Sequence, residues 1–88
     1  MYQLIDFFAE WCGPCHAMKP VFEELSKEYS GKVGFKSVDV DAEMQQAGQF
    51  GVSSIPTFVL LKDGKEVSRK IGASSKEAMK AWIDSNTK

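Results

Sequence analysis

Apolar side chains run almost unbroken from Leu4 to Ala9, a stretch of strand length, and Tyr2 to Phe8 reads as a strand buried on both faces. From Pro14 the period changes. Met18, Val21, Phe22, Leu25 and Tyr29 recur three and four apart, the spacing of an amphipathic helix, with Pro20 as an interior kink and Gly31 at the C′ position. Val33, Phe35, Val38 and Val40 predict a second strand, weakened at Gly34. Asp41 is placed to cap a short helix through Met44 and Ala47, ending near Gly51. Thr57–Leu61 and Glu66–Ile71 flank Lys62-Asp63-Gly64-Lys65, and Asp-Gly between two apolar runs predicts a hairpin. Ser74-Ser75-Lys76-Glu77 has the form of a capping box, followed by Ala78, Met79, Trp82 and Ile83 at helical spacing. Trp82 lies on that apolar stripe and is assigned to packing.

The element order is β-α-β-α-β-β-α. Two strands joined through a long helix must run parallel with a right-handed crossover, and the hairpin adds an antiparallel pair. The predicted class is α/β: a four-stranded mixed sheet flanked by helices on both faces. Its 88 residues suffice for one small core, so 1–88 is read as a single domain. A net charge of −1 with both signs interspersed lacks the basic footprint of a nucleic-acid binder. No leader or membrane span is visible, and the expected location is the cytoplasm.

The only two cysteines, Cys12 and Cys15, stand three apart at the predicted strand-to-helix junction, within Trp11-Cys12-Gly13-Pro14-Cys15. A helix start offers unpaired N–H groups and the positive end of its dipole, which push a thiol toward thiolate. A thiol with a pKa of about 8.5 is about 3% ionised at pH 7, and one near 7 is about half ionised; the difference costs about 2 kcal/mol. Cys12 is therefore the candidate nucleophile. Cys15, one turn on, can close a ring with it and is the candidate resolving thiol. Gly13 leaves the backbone accessible, and Pro14 suits a first helical turn, where its missing N–H costs little. Asp6, an acid inside an apolar run, is the candidate base for Cys15, its pKa raised by burial. Alternation alone also allows a solvent-facing place on an edge strand.

Two other chemistries share these residues. Cys12-x-x-Cys15-His16 satisfies the c-type haem attachment pattern, with Met18, Met44 or Met79 as second ligand, and two thiolates plus an imidazole could begin a zinc site. A buried strand before the motif and a hairpin later in the chain disfavour haem. Zinc lacks a fourth ligand, and the imidazole adjoins Cys15 too closely for tetrahedral geometry. His16 is assigned to an exposed helix position, and neither metal nor cofactor is expected.

Leu4-Ile5-Asp6-Phe7-Phe8-Ala9-Glu10-Trp11-Cys12-Gly13-Pro14-Cys15, with Ile55-Pro56-Thr57 and the late Gly72, resembles the thioredoxin family from end to end. The resemblance implies a thiol–disulfide oxidoreductase that reduces protein disulfides through a mixed disulfide. Its implied partners are disulfide-containing proteins and a thioredoxin reductase or equivalent donor. It implies a cis proline at Pro56, which on sequence alone would be trans, turning the Ile55 backbone toward an extended substrate segment. It also implies an apolar rim of Trp11, Ile55, Gly72 and Ala73 around Cys12. Within redox chemistry an oxidase or isomerase is the competing reading; outside it, a non-catalytic binding module of the same fold. Compared with the family pattern, the chain is expected to be a minimal form without an N-terminal strand and helix. The second strand would then be an open edge, guarded by Lys32, Gly34 and Lys36 in a monomer. Ser37 stands where many bacterial members carry a lysine near the buried acid.

Overall fold

The computed structural model describes residues 1–88. Strand β1 (Tyr2–Phe8) leads into helix α1 (Gly13–Glu28), strand β2 (Val33–Asp39) and the short helix α2 (Met44–Gln49). Strands β3 (Thr57–Lys62) and β4 (Lys65–Ile71) follow, then helix α3 (Lys76–Asn86). The sheet order is β2-β1-β3-β4, with β1 parallel to β2 and antiparallel to β3, and β3 antiparallel to β4. This is the predicted four-stranded mixed sheet.

Strand alternation sorts the core into two layers. Leu4, Val33, Phe58 and Leu60 face α1 and α3, where they pack with Met18, Phe22, Leu25, Met79 and Ile83. Ile5, Phe7, Val38, Val59 and Leu61 face the other way, onto Ala47 of α2 and the following Phe50 and Val52. With partners on both edges and helices over both faces, β1 reads as a nearly continuous apolar run. Asp6 shares the parity of Leu4 and so lies on the α1 side, in register with Ser37 of β2 and Phe58 of β3. The hairpin turns on Asp63 and Gly64 at φ 52° and 84°, both left-handed, as a two-residue primed turn requires.

Several expectations are corrected. The chain is not a form without an N-terminal strand and helix: it opens with β1 and α1, and these two make the centre of the sheet and the cover of one face. A comparison of motifs along a sequence does not reveal whether the elements present close a core; here Leu4, Phe58 and Leu60 are fully buried. Helix α1 ends at Glu28, short of Gly31, with Tyr29 as its C-cap donating its N–H to Leu25 O and Ser30 donating to Lys27 O, because Tyr29 is held by the α3 side of the core. It passes Pro20 as one helix.

Helix α2 starts at Glu43 without a side-chain cap, so Asp41 is not its capping residue. In α3 the cap is Ser75, whose Oγ accepts from the Ala78 N–H at 3.1 Å. The Ser74 Oγ is instead buried without a partner, so the predicted capping box does not form: the cap falls one residue later, where the N3 position is Ala78 and has no side chain to reciprocate.

Candidate active site

The motif sits where β1 gives way to α1. Cys12 is the N-cap in extended conformation (φ −89°, ψ 108°), and Gly13 and Pro14 form the first turn. The Cys15 N–H donates to Cys12 Sγ at 3.2 Å, so a free donor of the helix start is already aimed at the sulfur. The two sulfurs are joined as a disulfide, with the Cα atoms 5.3 Å apart. The structure therefore describes the oxidised state.

Exposure alone does not separate the two thiols, since Cys12 is 5% and Cys15 3% exposed. Their positions do. A groove of about 440 Å3 opens over Cys12, walled by Trp11, Gly13 and Pro14 on one side and by Val40, Val52, Ser53, Ser54 and Ile55 on the other. Cys15 does not line it. It packs behind Cys12 with Ala9, beside Phe8, Val40 and Ile55.

Trp11 is 72% exposed, yet its indole is fixed: Nε1 donates to Asp41 Oδ2 at 2.8 Å. Ile55 precedes Pro56 through a cis peptide bond and lies half-buried on the groove wall. Gly72 and Ala73 are not among the groove's walls. The Gly72 N–H donates to the Pro56 carbonyl at 2.8 Å, and at φ 94° Gly72 holds a conformation that L side chains rarely adopt. His16 stands half exposed on α1, its Nε2 2.6 Å from the Glu10 carbonyl.

Asp6 is buried at 4% exposure, and its Oδ1 has no hydrogen-bond partner. Burial pushes its carboxyl up from 3.8 to about 6, opposed by the positive charge of Lys19. No hydrogen bond joins it to either cysteine. A second cavity, of about 240 Å3, reaches it from the margin between α1 and β2.

Residue patterns alone missed Asp41, read as a helix cap, and gave no role to Lys19, which lines the cavity beside Asp6. They also missed the wall Val40-Val52-Ser53-Ser54. No local signal marks these positions, because each reaches its place through contacts far along the chain.

A thioredoxin family model, described as "Thioredoxin", matches residues 2–85. The chain is 53% identical over 76 residues to a thioredoxin of Chlamydia muridarum, covering 86% of this chain and 74% of that one. It is 44% identical over 81 residues to a thioredoxin of Bacillus subtilis, covering 92% and 78%. Among solved structures, a mutant thioredoxin from Halobacterium salinarum NRC-1 superposes with a TM-score of 0.89 at 37% identity, covering 99% of this chain and 75% of that one. The sequence similarity and the superposition agree with the close cysteine pair at the head of α1. With its redox-active Cys12–Cys15 pair the protein is a thiol–disulfide oxidoreductase of the protein-disulfide reductase type, and the chain belongs to the thioredoxin family.

Proposed function

We propose that Cys12 attacks disulfides of other proteins, Cys15 resolves the intermediate, and Asp6 takes the proton from Cys15. The observation that carries this division is the groove, which opens at Cys12 while Cys15 packs behind it. In the reduced enzyme the Cys12 thiolate attacks one sulfur of a substrate disulfide. A Cys12–substrate disulfide forms, and the other substrate sulfur leaves and takes a proton. Cys15 then passes its proton to the Asp6 carboxylate and attacks Cys12 Sγ. The mixed disulfide breaks, Cys12–Cys15 forms, and the second substrate sulfur leaves as a thiol or thiolate. Substrate gains two electrons and the enzyme loses them.

The carboxyl of Asp6, raised to about 6, holds a proton more readily than an ordinary acid and so suits a relay working near neutral pH. Trp11, Gly13, Pro14 and Ile55 present a mainly apolar surface to an extended substrate segment, with Pro56 behind Ile55 and braced by Gly72. Such a groove accepts many sequences. Residues 1–88 act as one unit, a monomer in the cytoplasm, regenerated by a thioredoxin reductase or an equivalent dithiol donor. No helix is long and apolar enough to cross a membrane.

Cysteine replacement tests the reading. Cys12→Ser abolishes disulfide reduction, whereas Cys15→Ser still attacks and accumulates mixed disulfides that a reductant releases. Turnover by Cys15→Ser at the parent rate would remove the two-thiol mechanism.

A further inference from the structure

Glu66 and Arg69 stand three apart on strand β4, a spacing that puts side chains on opposite faces of a regular strand. Here they share one face. A bulge opposite Leu60 and Leu61 shifts the pairing, so Glu66 is in register with Leu61 and Arg69 with Val59, both of which face α2. The pair closes through two bonds: Arg69 Nε donates to Glu66 Oε2 at 2.7 Å, and Nη2 donates to Oε1 at 2.8 Å. The carboxylate thereby fixes the plane of the guanidinium, and the second N–H of Nη2 is left for another acceptor.

That acceptor is the Phe50 carbonyl, 2.6 Å from Arg69 Nη2 in a partly buried bond. It lies at the end of α2. Gly51, at φ 63°, and Val52 donate back to Gly48 O and Ala47 O at 3.1 Å each, the two bonds of a Schellman end, and leave Phe50 O to Arg69. The Phe50 ring packs on Phe7 of β1 with the centroids 5.5 Å apart. Further along, Thr57 Oγ1 donates to the Ser54 carbonyl at 2.5 Å. Between these two anchors runs the groove wall of Val52, Ser53, Ser54 and Ile55. Ser53 and Ser54 are exposed and donate no backbone bond within the chain, so the wall is a strap held at its ends.

We propose that Arg69 is a positioning residue for substrate binding: anchored by Glu66, it fixes the Phe50 end of residues 51–55 and so sets the width of the groove beside Cys12. The inference rests on that groove being where a substrate segment lies. Arg69 touches neither substrate nor sulfur and acts through the backbone of the wall. The sulfurs stand at the start of α1, on the opposite wall, and their chemistry does not pass through this anchor. Loosening the anchor therefore weakens the hold on an extended segment that spans both walls. A small disulfide, which meets little more than Cys12, is affected far less.

Single turnovers of the reduced protein separate binding from chemistry, using a protein disulfide at varied concentration and, in parallel, hydroxyethyl disulfide. Arg69→Met keeps the apolar stem and removes the fork, while Arg69→Lys keeps the charge and one donor. For Arg69→Met we expect half-saturation by the protein disulfide to rise about three- to tenfold, with its limiting rate moved by less than about twofold. The rate on hydroxyethyl disulfide should change much less than the half-saturation does. Amide exchange at residues 51–55 should quicken while that of α1 stays as in the parent. Arg69→Lys should recover part of both effects. Glu66→Ala should act in the same direction and add nothing further to Arg69→Met. An unmoved half-saturation in Arg69→Met, an equal loss on both disulfides, or unchanged exchange at residues 51–55 would overturn the proposal. Full additivity of the two variants would remove Glu66 as the anchor. Ser54→Trp, which narrows the groove from its exposed wall, tests the reading beneath: an unaltered half-saturation there removes the groove as the place of the substrate, whatever Arg69 does.

Discussion

The Trp11 indole and the Asp41 carboxylate meet at 2.8 Å across the mouth of the groove, joining the loop before Cys12 to the loop after β2. The two residues are thirty positions apart. An indole that is 72% exposed has little packing to hold it, so this bond sets where it stands beside Cys12. The same bond ties the Cys12 wall of the groove to the segment that continues from Val40.

Asp41→Ala frees the indole. We expect kcat/KM for a protein disulfide to fall about three- to tenfold, with a stability cost of about 1 kcal/mol or less because both groups are exposed. Asp41→Asn, which keeps an oxygen acceptor, should retain most of the activity. Steady-state kinetics with a protein substrate decides this, and an unchanged kcat/KM in Asp41→Ala would mean that the indole's position is immaterial.

Burial of Asp6 makes stability pH-dependent with a definite sign. Its carboxyl titrates near 3.8 when unfolded and near 6 when folded. Below 3.8 both states hold the proton and Asp6 contributes no pH dependence. As pH climbs from 3.8 to 6 the unfolded chain releases the proton first, so stability falls, by about 3 kcal/mol, and is then flat. Asp6→Asn should lack this decline and be the more stable protein at pH 7, while resolving mixed disulfides more slowly. Denaturant melts from pH 3 to 8 check it. Parallel curves for parent and variant would place no titration at Asp6 in that window.

Helices α1 and α3 are tied at the sheet's far end from the motif. Tyr29 Oη donates to Asp84 Oδ1 at 2.7 Å, and Lys80 pairs with Glu28 at 2.9 Å. Burial, then the Asp84 bond, pushes the Tyr29 phenol from 10.0 up to about 12. Tyr29→Phe should cost about 1 kcal/mol at neutral pH. Parent stability should decline as pH rises from 10 toward 12, since the unfolded phenol ionises first, and that share of the decline should vanish in Tyr29→Phe. Chemical denaturation at pH 7 and pH 11 measures both effects.

The two serines before α3 should behave oppositely. Ser75→Ala removes the cap on the Ala78 N–H and should cost about 1 kcal/mol. Ser74→Ala removes a buried hydroxyl without a partner and should be neutral or stabilising. If the two costs were reversed, the cap would be at Ser74. Thermal melts of the two single variants suffice.

The capping serine shows how far pattern reading reaches. Ser74-Ser75-Lys76-Glu77 announces a helix start correctly, but either serine satisfies the local rule, and the packing of Met79 and Ile83 against the sheet selects the turn that leaves Ser75 as cap. Strand β1 was legible in full, because a strand buried on both faces carries its burial in its own composition. So was the hairpin, whose Asp63-Gly64 turn needs two residues tolerant of positive φ. Asp41 was misread for the opposite reason. Its nearby helix supplied a local explanation, while its actual partner lies thirty residues away.

Sequence by itself determined the elements, the two faces of the sheet, and the cysteine pair at a helix start, because periodicity and helix-terminus chemistry act over one or two turns of chain. Tertiary structure decided which side chains surround that pair. Parallel pairing of β1 with β2 sets Asp6 opposite Ser37, and the lie of α1 across them brings Lys19 to the same cavity. The cis Ile55–Pro56 bond with the Gly72 donor behind it, and the bond between Trp11 and Asp41, likewise join segments distant in the chain. Such contacts are fixed by strand register and helix docking, which depend on the whole core closing at once, and no short window of residues encodes them.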